Sequence, residues 1–180
     1  MLKIEIPETE MWDEKEQEFI SCKEQTLALE HSLVSVSKWE SKWHKPFMSR
    51  EDKTEEEAID YIKCMTITQN VDDKVYKCLS YENIKQINDY IEDPMTATWF
   101  NDSGKGRRSN EIVTSEIIYY WMIALNIPLE CQKWHLNKLL TLIQVCNIKN
   151  QPQKSRSRNE ILKSNAALNA ARRKKYHTSG

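Results

Sequence analysis

The stretch "TSEIIYYWMIALNIPLECQKWHLNKLLTLIQVCNI", residues 114–148, is the most apolar in the chain. Its spacing predicts two helices with a very short joint. Thr114 caps the first, which runs through Leu125 and is apolar nearly all round, as a central helix is. Asn126 suits its C-terminal boundary, and Pro128 stands where a first-turn proline belongs. The second helix carries Leu129, Gln132, Leu136, Leu139, Leu140, Ile143 and Cys146. A helical hairpin of this kind supplies most of a core, at roughly 25 cal/mol per Å² of apolar surface buried. No run approaches 18 apolar residues, which excludes a membrane-spanning helix.

The rest of the chain is punctuated by helix starts and stops. Ser32 caps a helix running to about His44, ended by Pro46. Thr54 with Glu57 forms a capping box for a second helix, and Ser80 caps a third that closes before Pro94. Ile84, Ile87 and Ile91 of the third face inward. Strand signals are fewer. "MLKIEIP" alternates, with Leu2, Ile4 and Ile6 on one side, and stops at Pro7. Thr26–Leu29 reads as a second strand, and "MTATWF" as a short one. "ETEMWDEKEQEFI" reads as a loop or a short helix, with Trp12 and Phe19 as anchors. "NDSGKGRRSN" is a polar loop. The expected fold is mainly α with a short N-terminal β element (α+β): a compact helical body, 1–146, and a basic linker and marginal helix, 147–180.

Within "SLVSVSKWESKWHKPF", Leu33, Val36 and Trp43 recur at helical spacing. Trp43 is expected in the core, and Trp39 at the rim, where it serves an interface. The N-terminus turns acidic at once and lacks the apolar segment of a signal peptide. Five cysteines, at 22, 64, 78, 131 and 146, form no CxxC pair. They read as free thiols in a reducing compartment.

Catalytic patterns are weak. Cys131 and His135 lie four apart on the expected second helix, the spacing of a thiolate–imidazole pair or half a metal site. No third ligand accompanies them, and Cys146 is too far along the helix to share a site. Glu55, Glu56, Glu57, Asp72, Asp73, Glu92 and Asp93 sit at helix ends and loop edges, where the helix dipole explains acids. "SGKGRRSN" lacks the GxxxxGK[ST] spacing of a phosphate loop. The residues therefore assign no catalytic, cofactor or metal site and point to a non-enzymatic protein.

Charge is unevenly placed. The formal net charge is −1, but residues 1–146 hold 26 acids against 17 bases, whereas 147–180 hold nine bases against one acid. The extension, with Arg172, Arg173, Lys174 and Lys175 as its densest cluster, suits an acidic partner, the acidic body of a neighbouring copy, or the phosphates of nucleic acid.

Five stretches together resemble a known type: "SLVSVSKWESKWHKPF", "DYIKCMTITQNV", "DYIEDPMTATWF", the segment 116–150, and the closing "NAALNAARRKKYHTSG". The chain is similar, over nearly its whole length, to small proteins encoded among the tail genes of long-tailed bacteriophages, and to tail assembly chaperones among them. The resemblance implies a non-enzymatic factor of the host cytoplasm. It would coat the long tape measure protein before tail tube subunits polymerise, and some such factors also have a frameshifted longer form. It transfers no catalytic or binding residue. Trp39, Arg172, Arg173, Lys174 and Lys175 stand as candidate partner-binding residues on the bottom-up reading. The alternatives are a virion component of the tail or neck, and a nucleic-acid-binding protein acting through the basic tail.

Overall fold

The computed structural model describes residues 1–13, 17–49, 51–100, 112–150 and 158–177. The expected loop at 101–110 lies outside them. The fold is mainly α with a small antiparallel β element at the N-terminus. The chain divides into two compact units, Met1–Asn147 and Ile148–Gly180.

The first unit opens with four strands: β1 (Leu2–Ile6), β2 (Thr9–Asp13), β3 (Glu18–Cys22) and β4 (Gln25–Leu29). β1 pairs with β4, Leu2 opposite Leu29 and Ile6 opposite Gln25. β2 pairs with β3, Thr9 opposite Cys22 and Asp13 opposite Glu18. The second pair thus continues the first beyond a break at Pro7–Glu8 and Lys23–Glu24, and a proline has no N–H to offer a ladder. The period of two puts Ile4, Ile6, Ile20, Cys22, Leu27 and Leu29 in the core. The loop or short helix expected over residues 8–20 is therefore a β-ribbon where it is described. Its outward Trp12 and Phe19 stack edge-on with ring centroids 4.8 Å apart, and cross-strand aromatic pairs of this kind support a hairpin.

Helix α1 (Leu33–Trp43) starts at Ser32 and stops at His44, which takes left-handed backbone at φ 53. α2 (Glu55–Met65) starts on the Thr54–Glu57 capping box. A 3₁₀ helix, Asp73–Cys78, precedes α3 (Tyr81–Glu92), which starts at Ser80. All three α-helix starts lie where the capping residues placed them. Of the three α3 isoleucines, only Ile87 is fully buried, while Ile84 and Ile91 are half-buried. The strand expected at "MTATWF" is absent: Met95 takes a left-handed φ of 51, and Trp99 is 87% exposed.

The apolar stretch departs from the expected hairpin. α4 (Ser115–Ala124) is followed by left-handed Asn126, a 3₁₀ turn at Leu129–Lys133, and α5 (Leu136–Asn150). The second helix begins late because its start is drawn into strand-like pairing. Ser32 and His135 form an antiparallel bridge, and Leu136 N–H donates to the His31 carbonyl at 2.7 Å. Nor is α4 buried all round. Ser115, Ile118 and Met122 face the core, while Tyr120 and Ile123 are exposed.

Trp39, rather than Trp43, is the fully buried tryptophan of α1. Trp43 lies in the last turn, where the helix ends and no further turn covers it. Nor are all five cysteines free: Cys22 and Cys78 form a disulfide across 56 residues, joining β3 to the end of the first 3₁₀ helix. Cys64, Cys131 and Cys146 are free.

The second unit contains α6 (Arg158–Tyr176). None of its described side chains is buried, and Ile161, Leu162 and Leu168 are exposed. Arg173, Lys174 and Lys175 occupy the last turn, where cations complement the negative end of the helix dipole.

Candidate binding cleft

Two helices of the first unit are fastened from behind by polar contacts. α2 is tied to α1. The Trp39 indole N–H donates to the Glu57 carbonyl at 2.9 Å, and that of Trp43 to the Asp60 carboxylate at 2.9 Å. Lys42 pairs with Asp60, and Lys45 with Glu57 at 2.5 Å. The Lys45 ammonium, together with the Thr54 N–H, holds the Glu57 carboxyl below the usual carboxylate range.

α3 is clamped at both ends. Asn83, which closes the Ser80 cap, also donates from its amide to the Glu5 carbonyl of β1 at 3.3 Å. The Asn137 amide of α5 donates to the carbonyls of Ile91 and Asp93 at 2.9 and 2.8 Å, satisfying orphan groups at the helix end.

Between these two helices and the β2–β3 ribbon lies a cleft of about 1230 Å³. Its apolar lining includes Met11, Trp43, Ile59, Leu79, Ile84 and Ile91, all half-buried. The wall also carries Lys42, Lys53, Lys63, Lys74 and Lys77, three of which have carboxylate partners among the described residues. Lys42 meets Asp60, Lys63 meets Asp73 at 3.0 Å, and Lys74 meets Glu18 of the ribbon at 3.0 Å. Lys53 stands over the Phe47 ring, 4.3 Å from its centroid, and donates to the Phe47 carbonyl. Burial pushes its ammonium below the usual lysine range. A helix with its side chains is roughly 10–12 Å across, so this volume corresponds to about two to three turns.

A second cluster is sealed in the core. The Tyr61 hydroxyl and His31 Nδ1 share a hydrogen bond at 2.5 Å, and the His31 and His135 rings lie 5.0 Å apart, edge to face. His135 Nε2–H donates to the Tyr90 carbonyl at 2.9 Å, which leaves Nδ1 as an acceptor with no hydrogen-bond partner among the described residues. Burial, then the neighbouring His135, pushes the His31 imidazole down to about 4. Burial lowers His135 as well. Cys131 and His135 do not share a helix, since Cys131 lies in the 3₁₀ turn and His135 just before α5. The His135 ring faces His31 and Tyr90 instead. Among the described residues no three His, Cys, Asp or Glu side chains gather as metal ligands would.

Of the sequence-predicted partner-binding residues, Trp39 is in the core and cannot serve at a rim. Arg172, Arg173, Lys174 and Lys175 are exposed on α6. Sequence reasoning missed Ile59, Ile84 and Trp43 as cleft residues. The available signal was Ile59, which falls off the buried stripe of Glu57, Asp60, Tyr61 and Met65 on α2.

The fold and cleft define a mainly helical body with an open apolar groove between two anchored helices. Comparison of the chain with protein-family models, with characterised proteins and with solved structures returns no match.

Proposed function

We propose that this protein is a non-enzymatic assembly factor that holds a helical segment of a longer client in the cleft between α2 and α3. The observation that carries the reading is the cleft itself. Two helices secured by hydrogen bonds and ion pairs present half-buried Ile59, Ile84 and Ile91 around a space wide enough for a helix. An amphipathic helix laid in an apolar groove is a recurring way to read a client through side chains three and four apart. A groove of this size buries a modest area, so binding stays reversible, as a factor that must be displaced requires.

The resemblance to tail-module proteins of long-tailed phages supplies the candidate client, the tape measure protein, and a site of action in the host cytoplasm. The test is affinity capture of the tagged protein from phage-infected cells, followed by mass spectrometry, with an Ile84→Asp variant as control. Enrichment of the tape measure protein by the parent and its loss with Ile84→Asp is the expected result. Retention of the protein in purified virions would instead favour a structural role, and equal capture by both proteins would remove the cleft from the account.

A further inference from the structure

We propose that helix α6 binds duplex DNA by lying in the major groove. Asn165 and Asn169 face the base edges, and the cluster Arg172–Lys175 reaches the phosphates that flank the groove. The proposal concerns the second unit by itself and does not rest on the cleft.

Charge comes first. α6 carries six bases, Arg158, Lys163, Arg172, Arg173, Lys174 and Lys175, against one acid, Glu160. None of the six bases meets a carboxylate among the described residues, whereas Lys42, Lys45, Lys63 and Lys74 of the first unit all do. The field of α6 is therefore uncompensated and selects a polyanion. The arrangement of the charges narrows the choice. Successive helical residues turn by about 100°, so Arg172–Lys175 encircle the helix instead of forming one stripe. An acidic protein surface meets a helix on one side. A DNA groove meets it on two, because a phosphate backbone runs along each wall.

The shape of the helix agrees. Asn165, Asn169, Arg172 and Arg173 fall at i, i+4, i+7 and i+8, on one side, and all four are exposed. Ala166, Ala167, Ala170 and Ala171 stand between them, so α6 is slimmer here than the roughly 10–12 Å of an average helix. The major groove is about 12 Å wide. A carboxamide offers one donor and one acceptor to an adenine edge, and a guanidinium offers paired donors to a guanine edge. From Asn165 to Arg173 the face spans about 12 Å at 1.5 Å per residue, which is about three to four base pairs at 3.4 Å each. Other polyanions match fewer of these features. Single strands are held by stacking on aromatic rings, but the one aromatic ring of α6, Tyr176, has the Lys175 ammonium 5.5 Å from its centroid. A membrane surface calls for a broad apolar face, and the large aliphatic side chains of α6 are Ile161, Leu162 and Leu168 alone. The major groove of duplex RNA is too narrow to admit the helix.

The test is fluorescence anisotropy of a labelled DNA duplex of about 20 base pairs, titrated with the full-length protein between about 0.05 M and 0.3 M salt. With four to five phosphate contacts, log K should fall against log salt with a slope of about −4, or about fifteenfold for each doubling of salt. An RNA duplex of the same sequence should bind at least about tenfold more weakly. Changing Arg172, Arg173, Lys174 and Lys175 together to Gln keeps a good helix former at each position. It should weaken DNA binding by at least about a hundredfold. No described side chain of α6 is buried, so this variant leaves the core of the first unit intact. Asn165→Ala combined with Asn169→Ala should weaken binding while the salt slope stays the same. A parent that does not bind DNA at about 0.1 M salt overturns the proposal, as does binding that survives the Gln variant. Equal affinity for the RNA duplex also overturns it, and so does full competition by polyglutamate or by phosphatidylglycerol vesicles at equal charge, since α6 would then dock on an acidic protein or a membrane. Unchanged DNA affinity in the double asparagine variant takes the helix out of the groove and overturns it too.

Discussion

Glu40 Oε2 accepts the backbone N–H of Ser115 at 2.8 Å, across 75 residues of chain. Its other oxygen, Oε1, accepts the Phe47 N–H at 2.8 Å. The buried carboxylate therefore stands in for the N-cap of α4, since the Thr114 side chain accepts no capping hydrogen bond from a helix N–H. It also closes the turn after α1. Glu40→Ala would strand two amide groups and is expected to cost about 3 kcal/mol. Glu40→Gln keeps one acceptor oxygen and should cost about half as much. Urea unfolding of the two variants checks the order, and equal losses would mean that only the side-chain volume matters.

The two tryptophans of α1 should separate in stability. Trp39 fills the core and its indole N–H is bonded to the Glu57 carbonyl. Trp39→Ala is expected to cost about 3–5 kcal/mol. Trp43, at the cleft, should cost about 1–2 kcal/mol, chiefly for its partial burial and its bond to Asp60. A larger loss at Trp43 than at Trp39 in chemical denaturation would reverse this assignment.

Acid should weaken the fold through His31. Its folded value is pushed down to about 4 from an ordinary 6.5, so the unfolded chain binds a proton that the folded chain refuses. Stability is full above about pH 6.5 and falls as pH drops toward 4, by about 3 kcal/mol in total. Below that the folded state also protonates and this contribution levels off. The groups facing the imidazole are Tyr61 from α2, His135 before α5 and Phe47 after α1, none of which supplies an anion. Urea midpoints between pH 7 and 4.5 should fall for the parent and fall less steeply for His31→Gln.

Reduction should destabilise the first unit. The Cys22–Cys78 link closes 56 residues, which on a chain-entropy view contributes about 4 kcal/mol. Thermal melts with and without a thiol reductant should differ accordingly. Thiol titration of the unfolded, unreduced protein should find three free cysteines, Cys64, Cys131 and Cys146. Five titratable thiols would return the chain to the reading of unpaired cysteines.

What was legible in the sequence was local. Ser32, Thr54 and Ser80 placed three helix starts because each cap is completed by a residue three positions on. Leu2, Ile4 and Ile6 placed β1 by alternation alone. The hairpin β2–β3 was less visible, because its outward face carries Trp12 and Phe19 and blurs the apolar–polar contrast.

Tertiary structure decided which side of each element was covered. The spacing of Trp39 and Trp43 allowed either to be buried; the end of α1 at His44 and the packing of α2 chose Trp39. The apolar run at 114–148 predicted one continuous second helix, but pairing of His135 with Ser32, over a hundred residues away, delayed α5 to Leu136. The cleft has the same origin. Ile84 and Ile91 carry the spacing of core residues, yet they remain half-buried because α2 is tied to α1, while α3 is tied to β1 and α5. Caps and alternation depend on neighbours a few residues apart and can be read along the chain. Burial depends on what arrives from elsewhere in the chain, and that is settled only when the elements meet.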